Sequence, residues 1–307
     1  MGFADVTLAG LRVLREVAER GTFTAAAQAL GYTQSAVSRQ VAALEQATGA
    51  RLFDRYPGGV RLTTAGRALL GHAVSALNAL EAADRELRGA EPGTGRVRLG
   101  YFPSAGAVIV ARAVEDLREE HPHIRVTTRE GSTPALVRAL RSGTLDLALL
   151  SSRPPHRSPD TDDPPLRVEP LLETRLALAV PTGGRWAGRA SVSADDLAGE
   201  QWIASPGSPG EPLLGVWPGL PGRPRISHTA RDWLTKLHLV AAGAGITTAS
   251  PALLPVVPPG VRFIEVEGVG EELRRISLAS TPTPPTPPAQ SLTRALRQQA
   301  QNLTDQD

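Results

Sequence analysis

Four polar residues, Gln34, Ser35, Ser38 and Arg39, share one face of a predicted helix and can form hydrogen bonds with a polar partner. The opposite face carries an apolar stripe at i, i+4 and i+7, formed by Val37, Val41 and Leu44. Short hydroxyl and amide groups beside an arginine suit base edges and phosphates. The same pattern also fits an ordinary solvated helix face, so the neighbouring residues must decide.

The residues just before this face predict a helix-turn-helix. Ala26 and Ala27 are small enough to let two helices pack closely, and Leu30 closes the end of the first helix. Gly31 can adopt the left-handed conformation of a tight turn, and Thr33 can cap the second helix. A turn at this position would hold the polar face against DNA, which favours a nucleic-acid contact over a solvated face.

A predicted wing follows the second helix. The segments RLFDR and VRLTT are strand-like and flank a PGG turn, and a new helix begins at Thr63 or Thr64. Arg55 and Arg61 lie on these segments, and we expect them to contact phosphates. For Arg61, an ordinary exposed arginine is an equal alternative.

These motifs together resemble a known family. The stretch GTFTAAAQALGYTQSAVSRQVAALEQATGARLFDR, followed by VRLTTAG, is similar to the winged helix-turn-helix of the LysR-type transcriptional regulators. The resemblance covers nearly the whole chain, since RVRLGY, GSTPALVRALRSGTLDLALL and LVAAGAGI are similar to segments of that family's effector domain. It implies that Thr33 lies near the phosphates and that the major groove is faced by Gln34, Ser35, Ser38 and Arg39. Many relatives carry a basic residue at the wing tip, whereas this chain has Gly58 and Gly59, which leaves minor-groove contact by the wing open.

Composition shifts divide the 307 residues into three parts. The stretch RGAEPGTG at 88–95 ends an alanine- and leucine-rich region. We predict an N-terminal all-α winged helix-turn-helix domain over residues 1–63, a long linker helix within 64–92, and a C-terminal α/β effector domain over 93–307.

Strand-like and helical segments alternate from Arg96 onward, which predicts a parallel sheet with crossover helices. The proline-rich segment SRPPHRSPDTDDPPL is expected to join two lobes, with lobe I at about 93–161 and 269–307 and lobe II at about 162–268. The resemblance implies a two-lobed unit similar to periplasmic binding proteins. Near the end, TPTPPTPPAQ predicts a stiff connector and LTRALRQQAQNL a last helix.

The segment from Thr64 to Leu87 can form one helix roughly 36 Å long at 1.5 Å per residue. An apolar stripe runs along it: Leu70, Ala73, Leu77, Leu80 and Leu87. Packing against the chain's own winged domain would not cover a stripe of this length, so we expect this helix to form a homodimer. The resemblance adds that such proteins usually form a homotetramer through their effector domains.

Hydroxyl side chains at strand ends and helix starts predict an effector site between the lobes, where backbone amides favour an anion. The candidates are Ser104, Ser132, Thr133, Ser151, Ser205 and Thr247, with His228 as a further lining residue. Each hydroxyl is also an ordinary helix cap. As a set they favour a small-molecule effector, with an organic anion as the expected class.

The composition excludes several other classes. The formal net charge of +2 gives no large basic field, and the absence of cysteine leaves no disulfide, thiolate zinc site or cysteine nucleophile. Apolar runs fall well short of the roughly 20 residues of a membrane span, so we expect a cytoplasmic protein without membrane contact. The basic residues are almost all arginine, and Lys236 is the only lysine.

No motif predicts catalysis, a metal or a cofactor. The HPH segment at 121–123 is typical of a surface loop, and DTDD lacks the glycine and glutamate of a calcium loop. GAGITT ends a helix instead of opening one, so it fails the dinucleotide fingerprint. We therefore expect a transcriptional regulator that binds double-stranded DNA and a small molecule, and not an enzyme. The alternative is a metabolite receptor or small-molecule enzyme whose N-terminal helices contact protein.

Overall fold

A computed structural model describes residues 5–87, 95–154, 156, 158–159, 165–206, 214–220, 222–267 and 272–305. The N-terminal domain contains three helices and a two-stranded wing, followed by a long helix. These elements are α1 (Leu8–Arg20), α2 (Phe23–Leu30), α3 (Gln34–Thr48), β1 (Phe53–Tyr56), β2 (Gly59–Leu62) and α4 (Thr64–Leu87).

Local sequence explains where the first three helices begin and end. Each starts at a threonine whose hydroxyl accepts a backbone N–H, and each ends at a glycine with a positive φ angle. The threonines are Thr7, Thr22 and Thr33, and the glycines are Gly21, Gly31 and Gly49. The predicted helix-turn-helix is therefore present with its turn at Gly31 and its cap at Thr33.

The long helix α4 corrects the expectation for its apolar stripe. Leu70, Ala73 and Leu77 are buried in the core of the chain's own winged domain, together with residues of α1 and α3. Their burial within one chain removes them from a dimer interface. Leu80 and Leu87 lie beyond that core and are exposed.

The C-terminal part contains eleven strands and five helices in the described residues. The strands are β3 (Gly95–Tyr101), β4 (Ile124–Glu130), β5 (Leu147–Ser152), β6 (Arg167–Arg175), β7 (Ala177–Pro181), β8 (Ser191–Ser193), β9 (Gln201–Ala204), β10 (Arg225–Thr229), β11 (Thr247–Ala249), β12 (Val261–Glu267) and β13 (Leu273–Ser280). The helices are α5 (Pro103–Ala105), α6 (Ala111–Glu120), α7 (Thr133–Arg141), α8 (Trp233–Ala241) and α9 (Pro287–Thr304). A π-helical segment, Gly106–Val110, joins α5 to α6, and 3₁₀ turns cover Gly184–Trp186, Asp195–Leu197 and Pro251–Val256.

Two lobes form, as predicted, but their boundary differs. Lobe I is a five-stranded sheet in the order β4-β3-β5-β13-β6, in which β3 pairs in parallel with β4 and β5 while β13 is antiparallel to both neighbours. Lobe II contains a four-stranded sheet, β11-β7-β12-β8, and the parallel pair β10-β9. Because β6 pairs with β13 along its length, the chain crosses to lobe II at Leu176 and not near residue 162.

One further local expectation is revised. Helix α9 begins at Pro287, inside the segment predicted to be a stiff connector, because Thr286 caps it and prolines are tolerated in a first helical turn. Strands β8, β10 and β12 carry no clear alternation in the sequence, and their positions follow from pairing with distant strands.

The winged domain and lobe I are in direct contact. Glu19 of α1 is buried and forms an ion pair with Arg129 of β4, and the Ser142 hydroxyl donates to its second carboxylate oxygen at 3.4 Å. Gly143 lies against Val74 of α4, with no room for a side chain. The turn after α7 therefore packs between α1 and α4.

Two glycines of α4 offer a matched test of how this helix packs within the winged domain. A Cβ atom on Gly66 would lie 2.1 Å from the Leu52 carbonyl oxygen, whereas Gly71 has open space around it. We expect Gly66→Ala to destabilise the winged domain by about 1–3 kcal/mol through overpacking. Gly71→Ala should stabilise it by about 0.5–1 kcal/mol, because glycine is a poor helix former. Urea unfolding followed by circular dichroism measures both; shifts of the same sign in the two variants would contradict the packing.

Candidate nucleic-acid interface and ligand cavity

The N-terminal half of α3 presents the predicted polar face. Gln34, Ser35 and Arg39 are exposed and Ser38 is half-buried, while Val37 and Val41 point into the core. The Thr33 hydroxyl accepts from the Ala36 N–H at 3.2 Å and lies 3.1 Å from the Ser35 hydroxyl. The Val37 N–H donates to the Thr33 carbonyl, so the Gln34 and Ser35 N–H groups are the ones left available to an anion such as a phosphate.

Arginines border this face on the wing. Arg55 lies over the Phe23 ring at 5.2 Å and Arg61 over the Tyr56 ring at 4.7 Å, and both are exposed. Stacking on a ring restrains a guanidinium while leaving its N–H donors free for phosphate. Arg39 forms no ion pair or hydrogen bond with any residue that the structure describes.

The backbone of the wing requires glycine at position 59. Gly59 has φ = 144°, and a Cβ there would lie 2.2 Å from the Gly21 carbonyl oxygen. That same oxygen accepts the Val60 N–H at 2.8 Å. The wing is therefore hydrogen-bonded to the end of α1, and at Gly59 the two backbones lie too close for a side chain to fit.

A cavity of about 530 Å³ lies between the two lobes. It is bounded by the start of the π-helical segment, the end of β5, the crossing strands β6 and β13, and helix α8. The described residues with polar side chains that line it are Ser104, Ser151, Arg153, Thr174, Lys236, Thr248, Ser250, Glu272 and Arg274. Its walls also include Phe102, Trp217, Trp233, Leu253 and Ile276.

The cavity brings together only part of the predicted effector set. Ser104 and Ser151 line it, and Ser205 adjoins it because its hydroxyl accepts from the Lys236 ammonium at 3.0 Å. Among the described residues, Ser132, Thr133 and His228 do not line it; Thr133 instead donates to the Ser151 carbonyl at 3.3 Å.

Thr247 requires a correction. Its side chain is buried and its hydroxyl contacts the carbonyl oxygens of Ile203 at 2.8 Å and Gly215 at 3.1 Å. These bonds give it a structural role within lobe II. The next residue, Thr248, points the opposite way along the strand and lines the cavity instead.

Lys236 is the functional candidate that the sequence interpretation missed. Its side chain is buried although it belongs to α8, whose buried face also carries Leu237 and Val240. The signal was available, because the only lysine of the chain falls four residues before Val240 on an apolar stripe. A charged residue on such a stripe usually has a specific partner.

The carboxylate that most affects Lys236 is that of Asp232, which also caps its own helix. Burial lowers the pKa of Lys236, and the Asp232 carboxylate opposes this only in part. Burial would raise the pKa of Asp232, but hydrogen bonds from Thr235 and Leu234 hold that pKa below its ordinary value. Asp232 caps α8 through the N–H groups of Leu234 at 3.2 Å and Thr235 at 2.8 Å.

The described residues contain no group of three or more His, Cys, Asp or Glu side chains placed to hold a metal ion. Within the same residues, no helix is both long enough and apolar enough to cross a membrane.

Comparison with known proteins places this arrangement in a family. Residues 90–301 match the family model described as the LysR substrate binding domain, and residues 8–67 match that of the bacterial regulatory helix-turn-helix protein, lysR family. The chain belongs to the LysR family. Its members are DNA-binding transcriptional regulators with an effector domain, not enzymes, which confirms the first functional hypothesis and sets aside the receptor-or-enzyme alternative.

Individual relatives agree with this assignment. The chain is 36% identical over 187 residues to a probable hydrogen peroxide-inducible genes activator of Mycobacterium xenopi, covering 61% of this chain and 95% of that protein. It is 30% identical over 240 residues to the transcriptional dual regulator GltC of Bacillus subtilis (strain 168), covering 77% and 78%. A full-length OxyR variant from Pseudomonas aeruginosa has the same fold, with a TM-score of 0.60 at 19% identity over 95% of this chain and 94% of that one.

These 307 residues contain no cysteine, so oxidation of a thiol cannot occur within them.

Lys236 generates a stability prediction. Lys236→Met keeps a similar length and removes a buried charge, so we expect a higher Tm at pH 7. The cost of the buried cation is complete below its lowered pKa and disappears as pH rises from that value to 10.5, the ordinary lysine pKa, so the gain should shrink over that interval. Calorimetry between pH 7 and pH 11 measures this, with the exposed Arg225→Met as the control. A lower Tm for Lys236→Met at every pH would show that the ammonium is satisfied in the free protein.

Proposed function

We propose that this LysR-family regulator recognises its DNA site through Gln34, Ser35, Ser38 and Arg39 in the major groove. The observation that carries this proposal is the capped, solvent-facing start of α3. There Arg39, which has no partner among the described residues, lies beside hydroxyl and amide groups. A face that contacts protein would instead be expected to be apolar.

Phosphate contacts would fix the position of α3 on the duplex. Thr33 lies at the helix start with an exposed side chain, and Arg55 and Arg61 extend from the two strands of the wing. Phosphate contacts orient a protein without reading sequence, whereas base contacts supply the specificity. We assign the first role to these three residues and the second to the α3 face. The regulator would act in the cytoplasm, on promoter DNA.

The cavity between the lobes is proposed to receive the small-molecule effector. Ser104 and Ser151 contribute from lobe I and Lys236 from lobe II, so a bound molecule can contact both lobes at once. It shifts their arrangement only as far as it binds one arrangement more tightly than another.

Helix α4 can form an oligomer through a stripe that keeps Leu80 and Leu87 of the predicted set and replaces its three buried members. The stripe consists of Ala76, Leu80, Ala83 and Leu87, which are all exposed. Their spacing of four, three and four residues is the pattern of a coiled-coil seam. We propose that two copies of α4 pack along this stripe to form a homodimer, which would place two winged domains on one DNA.

Arg39 provides the test of DNA recognition. We expect Arg39→Ala to weaken binding to the gene's own upstream DNA by about 1–3 kcal/mol with a much smaller effect on random DNA, because a base contact is lost. Arg55→Ala should weaken binding to both DNAs about equally. Fluorescence anisotropy measures these affinities, and Arg112→Ala, an exposed site on the effector domain, controls for lost charge. Equal losses on both DNAs for Arg39→Ala would refute base reading by α3.

The dimer stripe can be tested by charge insertion. Leu80→Glu should dissociate the dimer, because two carboxylates would face each other across the seam. Sedimentation equilibrium measures the change in mass, and Ala65→Glu in the exposed first turn of the same helix provides a control with the same added charge. An unchanged oligomer in Leu80→Glu would place the interface elsewhere.

A further inference from the structure

Lys236 brings a buried positive charge to the cavity wall without a carboxylate partner. Its side chain is 8% exposed, and its ammonium donates to the neutral Ser205 hydroxyl at 3.0 Å. No carboxylate of the described residues lies within ion-pair distance of it, and Asp232 is occupied as the cap of α8. A buried cation with only a neutral partner is an incomplete arrangement.

The other cations at the cavity differ from Lys236. Arg274 donates to the Glu272 carboxylate at 3.1 Å and to the Leu273 carbonyl at 2.9 Å, so its charge is already balanced. Arg153 is exposed, so water can solvate its charge without a ligand. Among the described residues that line the cavity, Lys236 is therefore the buried cation without a carboxylate partner.

Trp217 lies in the same wall, and its side chain is 4% exposed. Its indole Nε1 has no acceptor among the described residues and is itself buried, so the ring offers a ligand an apolar surface and not a hydrogen bond.

The remaining walls select for an apolar body. Val108, Trp233, Leu253 and Ile276 supply much of the lining. The Thr174 and Ser250 hydroxyls lie 2.8 Å apart and can satisfy each other.

We propose that the effector is an organic acid with an apolar body, held by its carboxylate at Lys236 and Ser205. This inference rests on the proposed effector role of the cavity. Lys236 then determines the ligand class, because a neutral ligand of the same shape would leave the ammonium buried and unpaired.

The experiment compares acids with their uncharged amides. Benzoate, phenylacetate and hexanoate would be titrated against benzamide, phenylacetamide and hexanamide by isothermal calorimetry, with the full chain at pH 7. Trp217 and Trp233 line the cavity, so their fluorescence gives a second readout. We expect at least one acid to bind tenfold or more tightly than its amide, since a hydrogen bond to a charged group is stronger than one between neutral groups.

Variants separate the contributions of the individual side chains to ligand binding. Lys236→Met should abolish the preference for the acid, while Lys236→Arg should retain part of it. Trp217→Phe should weaken the acid and the amide together. Arg225→Met, which removes an exposed charge on lobe II, should behave as the wild type. Because Lys236 is the only lysine, a bound acid should also slow its carbamoylation by cyanate, as followed by peptide mass.

Three outcomes would overturn the inference: no acid of the panel binds at 10 mM or below, an acid and its amide bind equally, or the acid's preference survives in Lys236→Met. Each is independent of DNA recognition, which is measured by anisotropy on upstream DNA without any acid. Tight, sequence-dependent DNA binding combined with equal acid and amide binding would leave the regulator intact and remove only the ligand class. Acid binding at Lys236 without sequence-dependent DNA binding would support the ligand class and refute the proposed DNA recognition by α3.

Discussion

The two lobes are joined where the chain crosses between them, and the cavity lies at this crossing. The chain leaves lobe I after β6 and returns at the start of β13, and at this crossing the Leu176 N–H donates to the Glu272 carbonyl at 2.7 Å. The outgoing and returning strands pair with each other, and side chains of both lobes pack in one core cluster, with Ile109 of lobe I beside Leu253 of lobe II among its members. Thr174, Glu272 and Arg274 line the cavity from the crossing. A ligand that contacts them and α8 would therefore touch both lobes next to the crossing.

The other end of lobe I meets the DNA-binding domain. The Glu19 carboxylate is buried between Arg129 and Ser142, and the turn at Gly143 packs on Val74 of α4. Helix α4 is anchored in the winged core by Leu70, Ala73 and Leu77, so it cannot shift independently of that domain. A change in lobe I would thus be transmitted through α1 and α4 together. Burial of a carboxylate makes this contact sensitive to geometry, because an unpaired charge there would be costly.

Features set by a few neighbouring residues could be predicted from the sequence. The threonine cap and glycine end of α2 and α3 require partners only three to five residues away, and the predicted turn is confirmed. Features set by distant partners could not. The sequence shows that α4 has an apolar stripe, but not whether its own domain or a second copy covers Leu77. Likewise, β6 follows a proline-rich segment that suggested a crossing, yet its pairing with β13 keeps it in lobe I.

For the cavity, the sequence predicts the types of lining residues but not which individual side chains face it. Hydroxyl types at strand ends were predicted, but adjacent strand residues face opposite sides, so Thr247 holds lobe II together while Thr248 lines the cavity. The sequence alone does not identify Lys236 as a cavity residue, because lysines on helices are usually exposed and its burial depends on the fold around it. A sequence that otherwise uses arginine places its single lysine on an apolar stripe, where local stability disfavours it. Such a conflict between local preference and position is where binding function is expected, because a ligand supplies the partner that the fold leaves out.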